Sequence, residues 1–317
     1  MGTTFQRLEG VFDATPLARS LRQEVEGFVP FICLMELIDN AVEATIEREE
    51  PTIVITLNLD KVDASGGPEP ATLTIEDNGK GMSMQQLLHY FRVSYTTSRI
   101  PPIDRDSQGV LPLHNFVNRK LNRFGRGSAS VVYFGDMVEI ESFQAPKDPS
   151  QPSRAYMARL DYGELLRTNK WPLQMYEKDQ EVVEEDLNGW TIIRISQLLP
   201  DKERALRDVA GWEQLAKRLR QVYHLFIYGF PECLWDKLPR ELTNGSNRPK
   251  GGLTIELTAL SGGTTLFSSR LSRDPRDGLG PGDSSASSSS SCGPPSDLQA
   301  VLREWEQLVA ANPLLAG

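Results

Sequence analysis

The sequence predicts an α+β fold in which an amphipathic helix precedes a β-hairpin. Apolar residues recur at three- and four-residue steps from Phe31 to about Arg48, the spacing of a helix with one buried face, and Pro51 ends that helix. Residues 52–59 and 71–77 then alternate apolar and polar side chains, as half-buried strands do. Because the segment between them is rich in turn-forming residues, the two strands are predicted to pair as an antiparallel hairpin.

The same periodicities predict the elements after the hairpin. Ser83 is expected to cap a short helix over residues 83–91, because a serine side chain can accept a hydrogen bond from a free N–H of the first turn. Segment 92–123 contains three prolines and has no clear period, which is typical of a functional lid or a disordered insert. A glycine-rich turn then leads into a short apolar helix. Further predicted elements are strands at 137–144, 154–162 and 189–196 and a helical stretch at 202–228.

The C-terminal part of the chain changes character twice. Residues 251–260 alternate again and are predicted to open a second, smaller β layer. A serine-, glycine- and proline-rich stretch predicts a flexible linker over 271–295. Ser296 and Gln299 form a capping-box pattern before an amphipathic repeat, so a helix that docks on a protein partner is expected over 296–312. The predicted divisions of the chain are 1–200, 201–270, 271–295 and 296–312.

Composition excludes several classes of protein. A formal net charge of −9 over 317 residues gives the whole molecule no attraction for nucleic acid and leaves such binding to local basic patches. The three cysteines lie far apart, which argues against a disulfide framework and against a zinc site. The sequence contains neither an apolar run of membrane-spanning length nor a signal-peptide core. We therefore expect an intracellular protein in a reducing compartment, with no membrane partner.

The helix predicted over residues 31–48 carries polar residues on a face that should be buried. Glu36 and Asn40 are four residues apart and so project from one face, one turn apart. A carboxylate can accept a proton from water, and an amide oxygen can bind a hard cation such as Mg²⁺. The ordinary alternative is a helix with one polar edge at the surface, because short motif matches arise by chance. Asp39 is interpreted as a structural hydrogen-bonding residue.

The sequence DNGKGM, residues 77–82, follows the second strand. Asp77 could accept a hydrogen bond from an exocyclic amine such as that of adenine. Gly79 and Gly81 would let a flat ligand approach the backbone closely, and Met82 would provide a soft apolar wall. The alternative is a plain turn, since Asp-Asn-Gly is also favourable turn chemistry.

Two further stretches complete the pattern. Gly125 and Gly127 lie at the start of a predicted helix, where free N–H groups and the helix dipole favour phosphate. Arg126 lies between them and is the best candidate for neutralising phosphate charge. Thr191 lies at the start of a predicted strand, and its hydroxyl could reach the Asp77 site. Taken alone, each stretch is equally typical of an ordinary loop.

Together, these four motifs and the helix–strand–strand pattern between them resemble the GHKL ATPase superfamily, which includes gyrase, a heat-shock chaperone, histidine kinases and MutL. The resemblance covers roughly residues 25–195. It implies a two-layer (Bergerat) sandwich of a mixed β-sheet with helices on one face. A partial transducer-like extension of helices and strands would follow.

The resemblance also implies a role for each candidate residue. Glu36 would be the general base that activates water, and Asn40 would bind Mg²⁺. Asp77 would hold the adenine amine of ATP, together with Thr191 and a water molecule. Residues 92–123 would form the ATP lid. The remaining assignments place Gly79, Gly81 and Met82 around the base and Gly125, Arg126 and Gly127 around the phosphates. ATP and Mg²⁺ are therefore the implied cofactors, and slow ATP hydrolysis is the implied activity.

Within the superfamily, MELIDNAVEAT, DNGKGM and RFGRGSASVVYFG are most similar to the chromatin-associated branch. The later segment 212–232 resembles the ATPase domain of the SMC flexible-hinge-domain-containing proteins, with the MORC ATPases as the next resemblance. This branch implies a nuclear, chromosome-organising ATPase in which ATP closes the lid and drives formation of a homodimer.

Two departures from that branch leave a second function open. The sequence given shows neither a hinge or zinc-finger module nor an obvious complete transducer, which in the superfamily supplies a lysine to the γ-phosphate. The lysine candidates are Lys202, Lys217, Lys237 and Lys250. The alternative function is a non-hydrolysing, ATP-gated protein-interaction module. A fragment that binds no nucleotide is disfavoured, because the acidic, amide and glycine residues of the motifs are all present.

Overall fold

The structure is a computed structural model that describes part of the chain. The described residues are 5–8, 30–45, 48–62, 65–91, 127–145, 154–168, 173–179, 189–228 and 252–273. All of them belong to one compact unit, Met1–Asp277. The predicted ATP lid, Gly125, Arg126 and the C-terminal helix lie outside the described residues, as does the predicted linker after residue 273.

The described strands form a single mixed sheet. In chain order they are β1 (Gln6–Arg7), β2 (Thr52–Leu59), β3 (Thr72–Asp77), β4 (Gly135–Phe143), β5 (Arg154–Asp161), β6 (Gln174–Asp179), β7 (Trp190–Leu198), β8 (Thr254–Ser261) and β9 (Thr264–Leu271). Their order across the sheet is β1-β6-β5-β4-β7-β3-β2-β8-β9. Among these strands β2 and β8 run parallel, and the other neighbours are antiparallel. The predicted hairpin of β2 and β3 is confirmed.

The helices form the second layer. They are α1 (Pro30–Thr45), α2 (Met84–Tyr90), α3 (Gly127–Phe134), α4 (Tyr162–Thr168), α5 (Pro200–Leu206), α6 (Val209–Val222) and α7 (His224–Tyr228). Helix α1 lies on β2 and β3 and packs along α3, which in turn contacts β4 and β7. The predicted α+β sandwich with a mixed sheet is confirmed.

The core lies between α1 and the central strands. Helix α1 buries its apolar face, including Leu34, Leu37 and Ile38. The alternate residues of the neighbouring strands, such as Ile55 and Ile75, are fully buried beneath it. Each such side chain contributes about 1.5–3 kcal/mol by leaving water, so α1 is held firmly in one register over the sheet. A site built on its polar residues therefore rests on a rigid element.

The strand at the start of the C-terminal extension corrects one expectation. Residues 251–260 were predicted to open a separate β layer, but β8 pairs in parallel with β2 from Thr52↔Thr254 to Leu59↔Ser261 and extends the main sheet. The buried Trp212 of α6 connects the layers here, since its ring packs edge-on against Phe31 of α1 and stacks on Phe267 of β9. Alternation of side chains identifies a strand but not its partner, which is why the sequence misled on this point.

Smaller elements were not predicted at all. They are β1, α4, β6 and β9. No helix among the described residues is long and apolar enough to cross a membrane.

Candidate functional site

The C-terminal end of α1 meets the loop that follows β3. The backbone N–H of Lys80 donates to the carbonyl of Ala44 at 3.0 Å, which fixes the DNGKGM loop against the helix. The capping box of α2, in which Ser83 and Gln86 bond each other's backbone N–H groups, fixes the other end of the loop. The predicted cap at Ser83 is thereby confirmed. The loop is thus held against α1 through Lys80 and leads into the capped first turn of α2 at Ser83.

Asp77 is the buried carboxyl group of this loop. Its side chain is 9% exposed, and Oδ1 accepts a hydrogen bond from the Gly79 N–H at 2.9 Å. Burial raises the pKa of Asp77 to about 7, although the Gly79 N–H and the positive charge of Arg48 both oppose the rise. A buried carboxyl group at a strand end, with one oxygen held by its own loop, is a suitable acceptor for a ligand amine.

Thr191 lies directly opposite Asp77 in the pairing of β3 with β7, so the structure brings these two predicted residues together. The Thr191 hydroxyl is 3.0 Å from the Ser142 hydroxyl. Ser142 also donates to the carbonyl of Trp190 and accepts from the N–H of Met82, at 2.9 and 2.8 Å. Ser142, in β4, thus connects Trp190 and Thr191 of β7 with Met82 of the loop. The sequence analysis missed Ser142 because a serine in a strand has no distinguishing pattern.

Gly81 lies where the chain leaves no room for a side chain. Its φ is +65°, and a Cβ atom would lie 1.7 Å from the carbonyl oxygen of Phe143. Gly189, which immediately precedes β7, approaches the same carbonyl, with a Cβ position 2.5 Å away. Met82 follows Gly81, is half-buried and packs against the core. The glycines therefore let two loop segments and β4 meet closely beside Asp77.

Replacing Gly81 by alanine is expected to destabilise the protein by about 3 kcal/mol or more, because the new methyl group collides with backbone rather than with a movable side chain. Gly66→Ala is the matched control: its φ is +83°, yet a Cβ atom there meets nothing within 4 Å. It should cost only the left-handed backbone strain, about 1–2 kcal/mol. Chemical denaturation of both variants measures the difference, and equal losses would contradict the close approach at Gly81.

The polar face of α1 continues the site. Glu36 and Asn40 are both half-buried and lie one turn apart. The side chain of Asn40 faces the buried hydroxyl of Tyr90, at the end of α2. Burial raises the pKa of Tyr90. The contact with Asn40 offsets part of this rise, and the charge of nearby Asp77 adds to it. The Tyr90 hydroxyl therefore lies near both the amide of Asn40 and the carboxyl group of Asp77.

Asp39 lies on α1 next to Asn40 but has a different environment. The Tyr223 hydroxyl, at the C-terminal end of α6, donates a hydrogen bond to Asp39 Oδ1. Burial raises the pKa of Asp39 to about 8, and the negative charge of Glu36 adds to the rise. The interpretation of Asp39 as a structural hydrogen-bonding residue is confirmed, and the bond ties α1 to the extension.

The raised pKa of Asp39 makes stability depend on pH. Because the folded protein binds this proton more tightly than the unfolded chain, stability is expected to fall as pH rises from about 4 to about 8. Asp39→Asn keeps an acceptor for Tyr223 and cannot titrate. Between pH 4 and pH 8 its free energy of unfolding should therefore fall by about 1–3 kcal/mol less than that of the wild type. Thermal unfolding across the pH range, without nucleotide or Mg²⁺, tests this. Asp179→Asn, on the exposed surface of β6, is the control and should keep the pH dependence of the wild type. If Asp39→Asn also keeps that dependence, the assignment to Asp39 is contradicted.

The phosphate end of the predicted site is described in part. Gly127 is the first residue of α3, which packs along α1, while Gly125 and Arg126 lie outside the described residues. Among the candidate lysines, Lys202 pairs with Asp201 at 3.0 Å and lies 4.1 Å above the ring of Tyr133. Lys217 is exposed on α6, and Lys237 and Lys250 are not described.

Arg48 is the other site residue that the sequence analysis missed. The sequence analysis named it only as the approximate end of the first helix, but its guanidinium group contacts the backbone of the DNGKGM loop. No sequence signal could have identified it, because its partners are backbone carbonyls, which every residue carries.

Comparison with protein-family models gives one match. Residues 29–189 match the model described as histidine kinase-, DNA gyrase B-, and HSP90-like ATPase. The match covers about half of the chain and includes α1, the DNGKGM loop and Gly189, the residue before β7. No curated protein matches the sequence significantly.

Proposed function

Because the chain belongs to the histidine kinase-, DNA gyrase B- and HSP90-like ATPase family, we propose that the site formed by α1, the DNGKGM loop and the start of β7 binds ATP and Mg²⁺ and hydrolyses ATP slowly. The observation that carries the proposal is the buried carboxyl group of Asp77 at the end of β3. It stands beside Gly81, where the DNGKGM loop passes so close to the Phe143 carbonyl that only a glycine fits.

In the proposed complex, Asp77 recognises adenine. Oδ1 is held by the Gly79 N–H, so Oδ2 is the acceptor that we assign to the exocyclic amine. Thr191, opposite Asp77 and bonded to Ser142, supports the same edge of the base. Met82 provides the apolar wall. A purine with a carbonyl in place of the amine would leave the carboxylate facing another acceptor, which disfavours guanine.

The chain's own residues fit a magnesium ion that is shared with the nucleotide. The described residues contain no group of three His, Cys, Asp or Glu side chains placed to hold a metal, so an all-protein cage is not present in that part of the chain. Mg²⁺ usually keeps several waters and binds one or two protein oxygens together with substrate phosphates. The side-chain oxygen of Asn40 would be such a ligand. Bound Mg²⁺ would offset the charge of the triphosphate.

Glu36 is proposed as the general base. It lies on the same face of α1 as Asn40, one turn nearer the N-terminus of the helix, and a carboxylate there would accept a proton from the attacking water. The N-terminus of α3 at Gly127, together with Gly125 and Arg126, would hold the phosphates through backbone N–H groups. Rigid packing of α1 on the sheet keeps the base and the metal ligand at a fixed spacing.

We further propose that ATP closes the lid over residues 92–123 and drives homodimerisation, as a slow conformational switch. The similarity of residues 212–232 to the SMC flexible-hinge-domain-containing proteins supports a nuclear, chromosome-organising role, with the MORC branch as the next choice. The helix predicted over 296–312 would recruit a protein partner. The net charge of −9 argues against nucleic acid as the main partner.

One observation favours a second function, that of an ATP-gated module without hydrolysis. Lys202 is paired with Asp201 and lies over the ring of Tyr133, and these contacts would compete with a γ-phosphate for its ammonium group. If no other lysine reaches the phosphate, ATP would bind and change the conformation of the protein without being cleaved.

Titration calorimetry of the full chain with ATP, with and without Mg²⁺, tests the proposed function, and phosphate release distinguishes its two forms. We expect ATP to bind more tightly with Mg²⁺ and at least ~10-fold more tightly than GTP, the loss that follows from one unsatisfied hydrogen bond. Binding with phosphate release supports the ATPase, and binding without release supports the module. Absence of ATP binding under both conditions would overturn the proposal.

A further inference from the structure

Arg48 makes a set of contacts that an exposed arginine at the end of a helix would not make. Its Nε donates to the carbonyl oxygen of Asn78. Its Nη2 donates to the carbonyl of Gly79 at 3.0 Å and to that of Gly189 at 2.6 Å. One guanidinium group therefore binds three backbone carbonyls, and the side chain is half-buried among them.

These carbonyls belong to two segments that are distant in sequence. Asn78 and Gly79 follow Asp77, whereas Gly189 precedes the strand that carries Thr191. The guanidinium group joins the segments on the side where β3 ends and β7 begins, directly beside the Asp77↔Thr191 pair. The spacing between the two proposed adenine-binding residues is thus set by the pairing of the strands and by Arg48.

The geometry needs an arginine in particular. A planar guanidinium group offers five N–H donors in a fixed fork, whereas a lysine ammonium is a compact point charge. Hydrogen bonds from a charged donor are also stronger than those between neutral groups. The loop has further anchors, because the Asn78 side chain accepts from the N–H of Thr52 at 2.8 Å and donates to the carbonyl of Glu50 at 2.8 Å. Loss of Arg48 should therefore loosen the loop without unfolding the protein.

We propose that Arg48 is a positioning residue of the adenine site, which joins the Asp77 loop to the start of β7 and so determines the preference for adenine over other bases. The inference rests on the proposed function, because the ligand that it positions Asp77 to bind is the adenine of ATP. Arg48 does not contact the base itself. It acts through Asp77 and Thr191, whose relative placement it fixes.

The test compares Arg48→Met, which keeps most of the side-chain length, with Arg48→Lys, which keeps the charge. Arg218→Met, on the exposed surface of α6, is the control. In the full chain, ATP affinity is expected to fall ~10- to 100-fold for Arg48→Met, the range seen when residues that orient a binding group are removed. Arg48→Lys should recover only part of the lost ATP affinity. In Arg48→Met the ratio of ATP affinity to GTP affinity should fall toward one. Its affinity for Mg²⁺-tripolyphosphate, which lacks the base, should stay within twofold of the wild-type value.

A second measurement needs no nucleotide. Hydrogen exchange of the amides of Asn78, Gly79 and Lys80, which are bonded to Thr52, Asp77 and Ala44, should become faster in Arg48→Met and stay unchanged in Arg218→Met. Wild-type ATP affinity and selectivity retained in Arg48→Met would overturn the inference while leaving the proposed function standing. If the wild-type chain binds no ATP, the proposed function fails. Unchanged hydrogen exchange of the loop amides in Arg48→Met would show, independently of ATP, that Arg48 does not position the loop. A loss of tripolyphosphate affinity equal to that of ATP would also overturn a role specific to adenine.

Discussion

Replacing Glu36 by glutamine is expected to stop ATP hydrolysis while leaving ATP binding nearly unchanged. Glutamine has the same shape but cannot accept a proton from the attacking water. General base catalysis typically accounts for 10²- to 10⁴-fold in rate, so phosphate release should fall by at least ~100-fold. Glu36 lies half-buried on the polar face of α1, so the substitution removes no core packing. Single-turnover phosphate release and calorimetry with Mg²⁺-ATP measure the two quantities separately.

The control for Glu36→Gln is Glu213→Gln, which makes the same chemical change at an exposed position of α6. It should leave both quantities at their wild-type values. Phosphate release by Glu36→Gln at the wild-type rate would show that another group accepts the proton. Loss of ATP binding in the same variant would instead mean that Glu36 holds the nucleotide rather than activating water.

Replacing Asp77 by asparagine should weaken ATP binding by ~10- to 100-fold. The hydrogen bond between a charged carboxylate and an amine is worth about 1.5–3 kcal/mol, and each 1.4 kcal/mol is a tenfold change in affinity. The asparagine oxygen can still accept the Gly79 N–H, so the loop should keep its shape. The new NH₂ group would face the adenine amine, two donors against each other. Competition binding with ATP and GTP measures the loss of ATP affinity and the reduced preference for ATP over GTP.

Glu76→Gln is the matched control for Asp77→Asn, because Glu76 is the neighbouring residue of β3 and its side chain is exposed on the other face of the sheet. It should leave affinity for both nucleotides unchanged. Unchanged ATP affinity in Asp77→Asn would remove adenine recognition from this carboxyl group. An equal loss of ATP and of tripolyphosphate would show that the substitution had disturbed the phosphate end of the pocket instead.

The elements that the sequence predicted well are those whose signal is local. The helical period from Phe31, the alternation of β2 and β3 and the cap at Ser83 are each signalled by residues close together in the sequence, and all are present in the structure. The hairpin of β2 and β3 also placed Asp77 at a strand end. Local patterns of this kind depend on backbone geometry that recurs every two or every 3.6 residues.

What the sequence could not show was the partner of each group. The parallel neighbour of β2 lies at the far end of the chain, and no pattern in β8 identifies it. The contacts of Ser142 and Arg48 are largely to backbone carbonyls and N–H groups, which have no residue-specific signature. The Asp39–Tyr223 bond joins α1 to a helix more than 180 residues later. These features depend on the three-dimensional path of the chain.

The parallel pairing of β2 with β8 has a consequence for how the chain reaches its native state. Thr52 and Thr254 are more than two hundred residues apart, so during synthesis β2 stays without this neighbour until most of the chain has left the ribosome. Contacts of such long sequence separation form late and slowly, and until then one edge of β2 offers its N–H and C=O groups to any passing strand. A chain shortened after β7 would keep this edge open permanently. The extension therefore covers β2 and moves this edge of the described sheet to β9, two strands away from β2.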